Sequence, residues 1–211
     1  MQDIITVNHL SKSYGSHQVL NDISFSFQPG QIIALLGPNG SGKSSLIKIL
    51  TGLIHDYSGE VLIDGEVPGP STKAKIAYLP EKSYLADWMR AVDAIKYIAD
   101  FYPDFDRDKA MRMLDTFGLQ PKQKIKSMSK GMQEKLQLIL VMCRNAKLYI
   151  FDEPLSGVDP AARDGILDII MKNSPEGFDY AHLDPSYPRC REHIRPRADD
   201  RSGQSPAQLV R

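Results

Sequence analysis

The residues Gly37, Pro38, Asn39, Gly40, Ser41, Gly42, Lys43, Ser44 and Ser45 constrain this chain more than any others. They lie between the apolar run Ile32-Ile33-Ala34-Leu35-Leu36 and the amphipathic run Leu46-Ile47-Lys48-Ile49-Leu50. The pattern G-x-x-x-x-G-K-[ST] is met in full, in a strand, loop and helix context. Glycines let the backbone curl with its N–H groups inward, ringing a diphosphate with no side chain in the way. Lys43 is then in reach of the β- and γ-phosphates and Ser44 offers its hydroxyl to Mg²⁺. The following helix aims its positive end at the anion. The expectation is a nucleoside triphosphate site.

A chain of 211 residues can bury a real core, as one domain or as a domain with an inserted lobe. Lys plus Arg equals Asp plus Glu at 26 each, so no basic surplus argues for a nucleic-acid partner, and none is expected. Cys143 and Cys190 have neither metal nor redox spacing, which points to a reducing cytosol. No run approaches a membrane span, and the first residues, MQDIITVNHL, lack the basic-then-apolar order of a signal peptide. Any membrane role is expected to come through a partner.

Alternation predicts strands over residues 3 to 9 and 23 to 28, with Pro29-Gly30 turning into the strand before the phosphate loop. Tyr14 lies between them beside Gly15 and, taken alone, reads as a packed surface ring. Gly59 to Gly65 reads as a strand closed by an Asp64-Gly65 turn, and Lys75 to Leu79 as another strand. From Trp88 to Leu119 apolar residues recur at helical spacing, with Pro103 separating two helices. A further helix is predicted from Ser129, its N-cap, to near Arg144. Leu148-Tyr149-Ile150-Phe151, apolar on both faces, reads as a central parallel strand. It ends in Asp152-Glu153. In an open parallel sheet, ligands collect at the carboxyl ends of the strands. Asp152 is therefore expected to hold Mg²⁺, directly or through water, and Glu153 to take a proton from the attacking water.

In this order the residues resemble the ATP-binding subunit of an ABC transporter over about residues 3 to 177. The resemblance makes Tyr14 the aromatic that stacks on adenine and Gly37 to Ser44 the Walker A loop. Ser129-Lys130-Gly131-Met132-Gln133 stands at the signature, Leu148 to Glu153 at Walker B, and Leu155 to Asp159 at the D-loop. The fold it implies is α/β: a P-loop NTPase core with an N-terminal antiparallel β subdomain. A helical lobe over about 84–145 is inserted, and 178–211 forms a tail outside the family pattern. Ser129 and Gly131, at the positive end of their helix, are implied to meet the γ-phosphate held by a second protomer. The active form is then a head-to-tail homodimer or heterodimer, docked on an integral-membrane permease at the cytoplasmic face of the membrane. Glu81 stands where the family's Q-loop glutamine stands, and Lys130 and Met132 replace residues of the common LSGGQ form. These variants resemble the bacterial ABC-2 export branch. Two other readings are a soluble ABC-type ATPase not coupled to transport and a non-catalytic nucleotide-binding remnant.

The resemblance stops at Gly177. The family continues with an apolar strand and a histidine that contacts the γ-phosphate; here Phe178 to Arg189 reads FDYAHLDPSYPR, followed by a tail rich in Arg, Pro and Asp. Synonymous codons can be chosen for Asp179 onward that, read one base later, give Thr-Met-Leu-Ile-Ser-Thr-His-Leu-Ile-Arg-Asp-Val-Glu, which is family-like throughout. A single-base insertion or deletion near Phe178 is the reading this suggests, with His182 a decoy. Residues 178 to 211 are expected to be irregular, to offer no sheet strand and so to leave Walker B without one neighbour. ATP is expected to bind better than it is hydrolysed.

Overall fold

The computed structural model describes residues 3–29, 31–34, 42–80, 83–152 and 179–181. In chain order its elements are β1 (Ile5–Tyr14), β2 (His17–Phe27), β3 (Gln31–Ala34), α1 (Lys43–Leu50), β4 (Ser58–Ile63), α2 (Pro70–Lys75), β5 (Ile76–Leu79), α3 (Ala91–Phe101), α4 (Arg107–Thr116), α5 (Lys130–Met142), β6 (Leu148–Phe151) and β7 (Asp179–Ala181). A 3-10 turn at Ile125–Ser127 precedes α5. The described residues up to 76, with 147–152 and 179–181, belong to one compact unit; those from 77 to 146 belong to the other.

In the first unit an antiparallel sheet runs β2-β1-β4. Its inward residues, Ile5, Val7, Leu10, Leu20, Ile23, Val61 and Ile63, are all buried. The strands are longer than alternation predicts, because the β1–β2 ladder shifts register between Val7 and Leu10, between Leu10 and Lys12, and between Lys12 and Ser13. His9 and Asp22 take left-handed φ values of 52° and 50° at these irregularities. Each extra residue breaks the period of two while the ladder continues to the Tyr14–His17 pair. Tyr14 is thus the last residue of a strand, at the hairpin tip, rather than part of a loop.

The second sheet runs β5-β6-β3-β7. β6 lies inside it with all four residues buried, as its unbroken apolar run predicts. β3 pairs with β6 in parallel, Ile32 to Tyr149, Ile33 to Ile150 and Ala34 to Phe151. On its other side β3 pairs in parallel with β7, Gln31 to Asp179, Ile32 to Tyr180 and Ile33 to Ala181. Two expectations are corrected here. The chain after Gly177 does supply a strand, and that strand lies beside β3 rather than beside β6. The ladder uses main-chain groups, which Asp179, Tyr180 and Ala181 carry whatever their side chains. The expectation for residues 182–211 lies outside the described residues.

In the second unit α3 and α4 bury one face each, Ala94, Ile95 and Ile98 on the first and Ala110, Met113 and Leu114 on the second, while α5 is buried all round from Leu136 to Met142. Arg144, 5% exposed, fixes the chain leaving α5. Its Nε donates to both carboxylate oxygens of Asp104, at 2.9 and 2.8 Å, and its guanidinium lies 3.6 Å from the centre of the Tyr102 ring. Among the described residues no helix is long and apolar enough to cross a membrane.

Candidate functional site

The register of β3 on β6 builds the site. Because Ala34 sits opposite Phe151, the residue that follows Phe151 emerges at the same sheet end as Ala34, the last residue of β3. That residue is Asp152, a carboxylate only 7% exposed at the carboxyl end of a parallel strand. The loop residues Gly37, Pro38, Asn39, Gly40 and Ser41 lie outside the described residues, as do Glu81, Glu153 and Asp159.

Description resumes at Gly42, the N-cap of α1, with φ +89° and ψ 0°. A methyl group here would fall 2.7 Å from the Val19 carbonyl oxygen and 2.7 Å from Leu20 Cδ2. Only glycine suits both the backbone and the space. The next residue, Lys43, is 7% exposed, whereas Ser44 is exposed and Ser45 is half-buried. No acidic residue lies in the first turn of α1, so its own side chains leave the positive pole uncompensated. A buried ammonium, an accessible hydroxyl and a helix start with no acidic side chain of its own form a surface suited to an anion.

Tyr14 stands over this helix start. The residue is 49% exposed and its hydroxyl oxygen lies 3.4 Å from Ser45 Oγ. Lys12, which sequence reasoning passed over, lies against the same ring, with Nζ 4.8 Å from its centre. The signal was the Lys-x-Tyr spacing, hidden by the early end predicted for the strand.

Ser129 and Gly131 belong to the second unit. Ser129 caps α5 as predicted: its Oγ accepts the Met132 N–H at 3.2 Å, which leaves its own proton free to be donated. Both residues keep some exposure. Gln133 Nε2 donates to the carbonyls of Ile125 and Met128, tying the start of α5 to the 3-10 turn before it.

Among the described residues no group of three or more His, Cys, Asp or Glu side chains could hold a metal ion. Mg²⁺ held by Ser44 and Asp152 would complete its shell with phosphate oxygens and water.

The family model described as ABC transporter matches residues 20–156. The chain belongs to the ABC transporter family. A zinc import ATP-binding protein of Yersinia enterocolitica is 35% identical to this ABC chain over 178 residues, covering 81% of it and 65% of the relative. A lantibiotic transport ATP-binding protein of Streptococcus pyogenes is 31% identical over 177 residues, covering 83% of this chain and 77% of the relative. A solved ATP-binding subunit of an ABC transporter matches with a TM-score of 0.72 at 29% identity, over 84% of this chain and 77% of that one. The fold expected from the sequence is thus that of ABC ATPases. The chain spans less than two thirds of the zinc import protein's length. With an import protein among the relatives, membership of the family does not fix a direction of transport.

Proposed function

We propose that this chain binds Mg–ATP at Gly37 to Ser45 and hydrolyses it as the nucleotide-binding subunit of an ABC transporter. The observation that supports the reading is the parallel register of Ala34 on Phe151, which brings the described end of β3, from which the chain runs on toward Gly37, level with the residue before Asp152. Lys43 holds the β- and γ-phosphates, Ser44 and Asp152 hold Mg²⁺, and Tyr14 stacks on adenine. Mg²⁺ supplies neutralisation of phosphate charge during transfer. Glu153 takes the proton of the attacking water, Glu81 borders the site in place of the Q-loop glutamine, and Asp159 serves at the D-loop. A second copy or a related subunit brings Ser129 and Gly131 to the γ-phosphate, so that ATP closes a dimer and hydrolysis reopens it.

In this reading the partner is an integral-membrane permease, reached from the cytoplasmic face through the helical lobe at about 84–145. Support comes from the exposed aromatics Tyr84, Trp88, Tyr97 and Phe101. Export, of the bacterial ABC-2 type, is favoured by Glu81, Lys130 and Met132. From Asp179 onward the chain is proposed to be read one base out of frame, so that it lacks the switch histidine and hydrolyses ATP more weakly than it binds it. That feature also supports the second reading, a nucleotide-binding remnant with little turnover.

Calorimetry with Mg–ATP and phosphate release, on the full chain and on Lys43→Met, test the central claim. Loss of binding in Lys43→Met supports it; equal binding by both chains sinks it. Glu153→Gln is expected to trap an ATP-bound dimer in size-exclusion chromatography. Resequencing the gene tests the frame, and an intact frame encoding the present tail removes that part of the proposal.

A further inference from the structure

Lys12 is a charged residue withdrawn from water for which the chemistry above has no role. It is only 5% exposed. Its Nζ donates to Asp56 Oδ2 at 2.9 Å, but the Asp56 side chain is itself fully exposed. A surface carboxylate could be paired from solvent, so the ion pair alone does not account for drawing the ammonium inward. The same Nζ lies 4.8 Å from the centre of the Tyr14 ring, and the far end of that ring is 3.4 Å from Ser45 Oγ. The ring is therefore held at a face by Lys12 and at its hydroxyl by the first turn of α1, while the residue as a whole stays 49% exposed.

We propose that Lys12 is a positioning residue for the nucleotide base, fixing the Tyr14 ring from one face so that the other is presented for stacking. This rests on the reading of Tyr14 as the adenine platform. A cation against one face of an aromatic ring is attracted by its π density, more strongly where water is excluded. The ring is then fixed in place before the base arrives, which lowers the ordering cost of stacking. By drawing density toward itself, the ammonium also weakens π–π repulsion at the opposite face. Lys12 itself touches neither base nor phosphate. Its effect is specific to ligands that carry a base.

Calorimetry on the full chain with two probes, Mg–ATP and Mg–tripolyphosphate, separates that effect from general damage. In Lys12→Met the Kd for Mg–ATP is expected to rise about three- to tenfold, the span of a partly desolvated cation–π contact. The Kd for Mg–tripolyphosphate stays within about twofold, because phosphate contacts alone remain. Lys12→Arg restores Mg–ATP binding, and Lys12→Gln replaces the methionine variant if that does not fold. An equal loss for both probes overturns the proposal. So does unchanged Mg–ATP binding in the Lys12 variants while Tyr14→Ala weakens it, a result that leaves the platform reading standing. If Tyr14→Ala itself leaves Mg–ATP binding unchanged, the platform reading fails and the proposal with it.

Discussion

Replacing Gly42 by alanine adds a single methyl group, and the structure divides its cost into two parts. The first is conformational: at φ +89° an L-residue sits in left-handed backbone, which costs about 1–2 kcal/mol. The second is steric. The new Cβ falls 2.7 Å from the Val19 carbonyl oxygen, 2.7 Å from Leu20 Cδ2 and 3.2 Å from Val19 Cγ1. The oxygen is main chain of β2, so relief requires α1 to move, and overpacking of this kind costs about 1–3 kcal/mol. The sum is about 2–5 kcal/mol. Gly15 supplies the control, since it too has positive φ, +59°, but nothing lies within 4 Å of an added Cβ. Gly15→Ala is thus expected to cost only the conformational part, about 1–2 kcal/mol. Urea denaturation of the two variants beside wild type gives the difference directly. Mg–ATP calorimetry then shows whether the shift of α1 carries into the site; Gly42→Ala should lose binding and Gly15→Ala keep it. Equal destabilisation by the two substitutions, or intact binding in Gly42→Ala, would refute the claim that space, and not φ alone, demands glycine there.

Ser129→Ala removes the cap on the Met132 N–H and should cost about 1 kcal/mol in urea denaturation, with Ser129→Gly costing only a few tenths. The Asp64 carboxyl is held below its ordinary value chiefly by the hydrogen bond from Lys75 at 2.6 Å, and next by that from Lys147 at 2.9 Å. A carboxylate lowered in the folded state adds stability that is complete above its unfolded value and is lost as pH falls through the folded one. Wild type should therefore lose more stability on acidification below about pH 4 than Lys75→Met does, measured as urea midpoints. Burial first of all pushes the Cys143 thiol up to about 12, and the residue is 1% exposed. In a Cys190→Ser background it should react with an aromatic disulfide reagent only after unfolding.

Much of the frame was legible because its signals are local. The start of α1 announces itself by Gly42 and Lys43 at the end of a fixed spacing. The α5 start announces itself by Ser129, and β6 by an apolar run too short for a helix. Pro103 falls between α3 and α4 as periodicity requires. What escaped depends on partners distant in sequence. The bulges at His9 and Asp22 hide the second half of β1, since each irregularity resets the alternation that marks a strand. Lys12 escaped for the same reason. The short α2 escaped because Gly69-Pro70 reads as a turn, although Pro70 begins the helix and Thr72 bonds back to the Gly69 N–H at 2.8 Å. At the site, the pattern foretold which residues belong to α1 and β6, but only the ladder reveals that Ala34 faces Phe151.

The three-residue ladder of β7 on β3 bears on how such a chain changes over time. Parallel pairing asks its newcomer for amides and carbonyls in step, and every tripeptide free of proline has them. A sheet slot filled on those terms is indifferent to spelling. Substitutions at Asp179 to Ala181 can change what the side chains do while the β3 edge stays covered, so chemistry and architecture become separately heritable at one position.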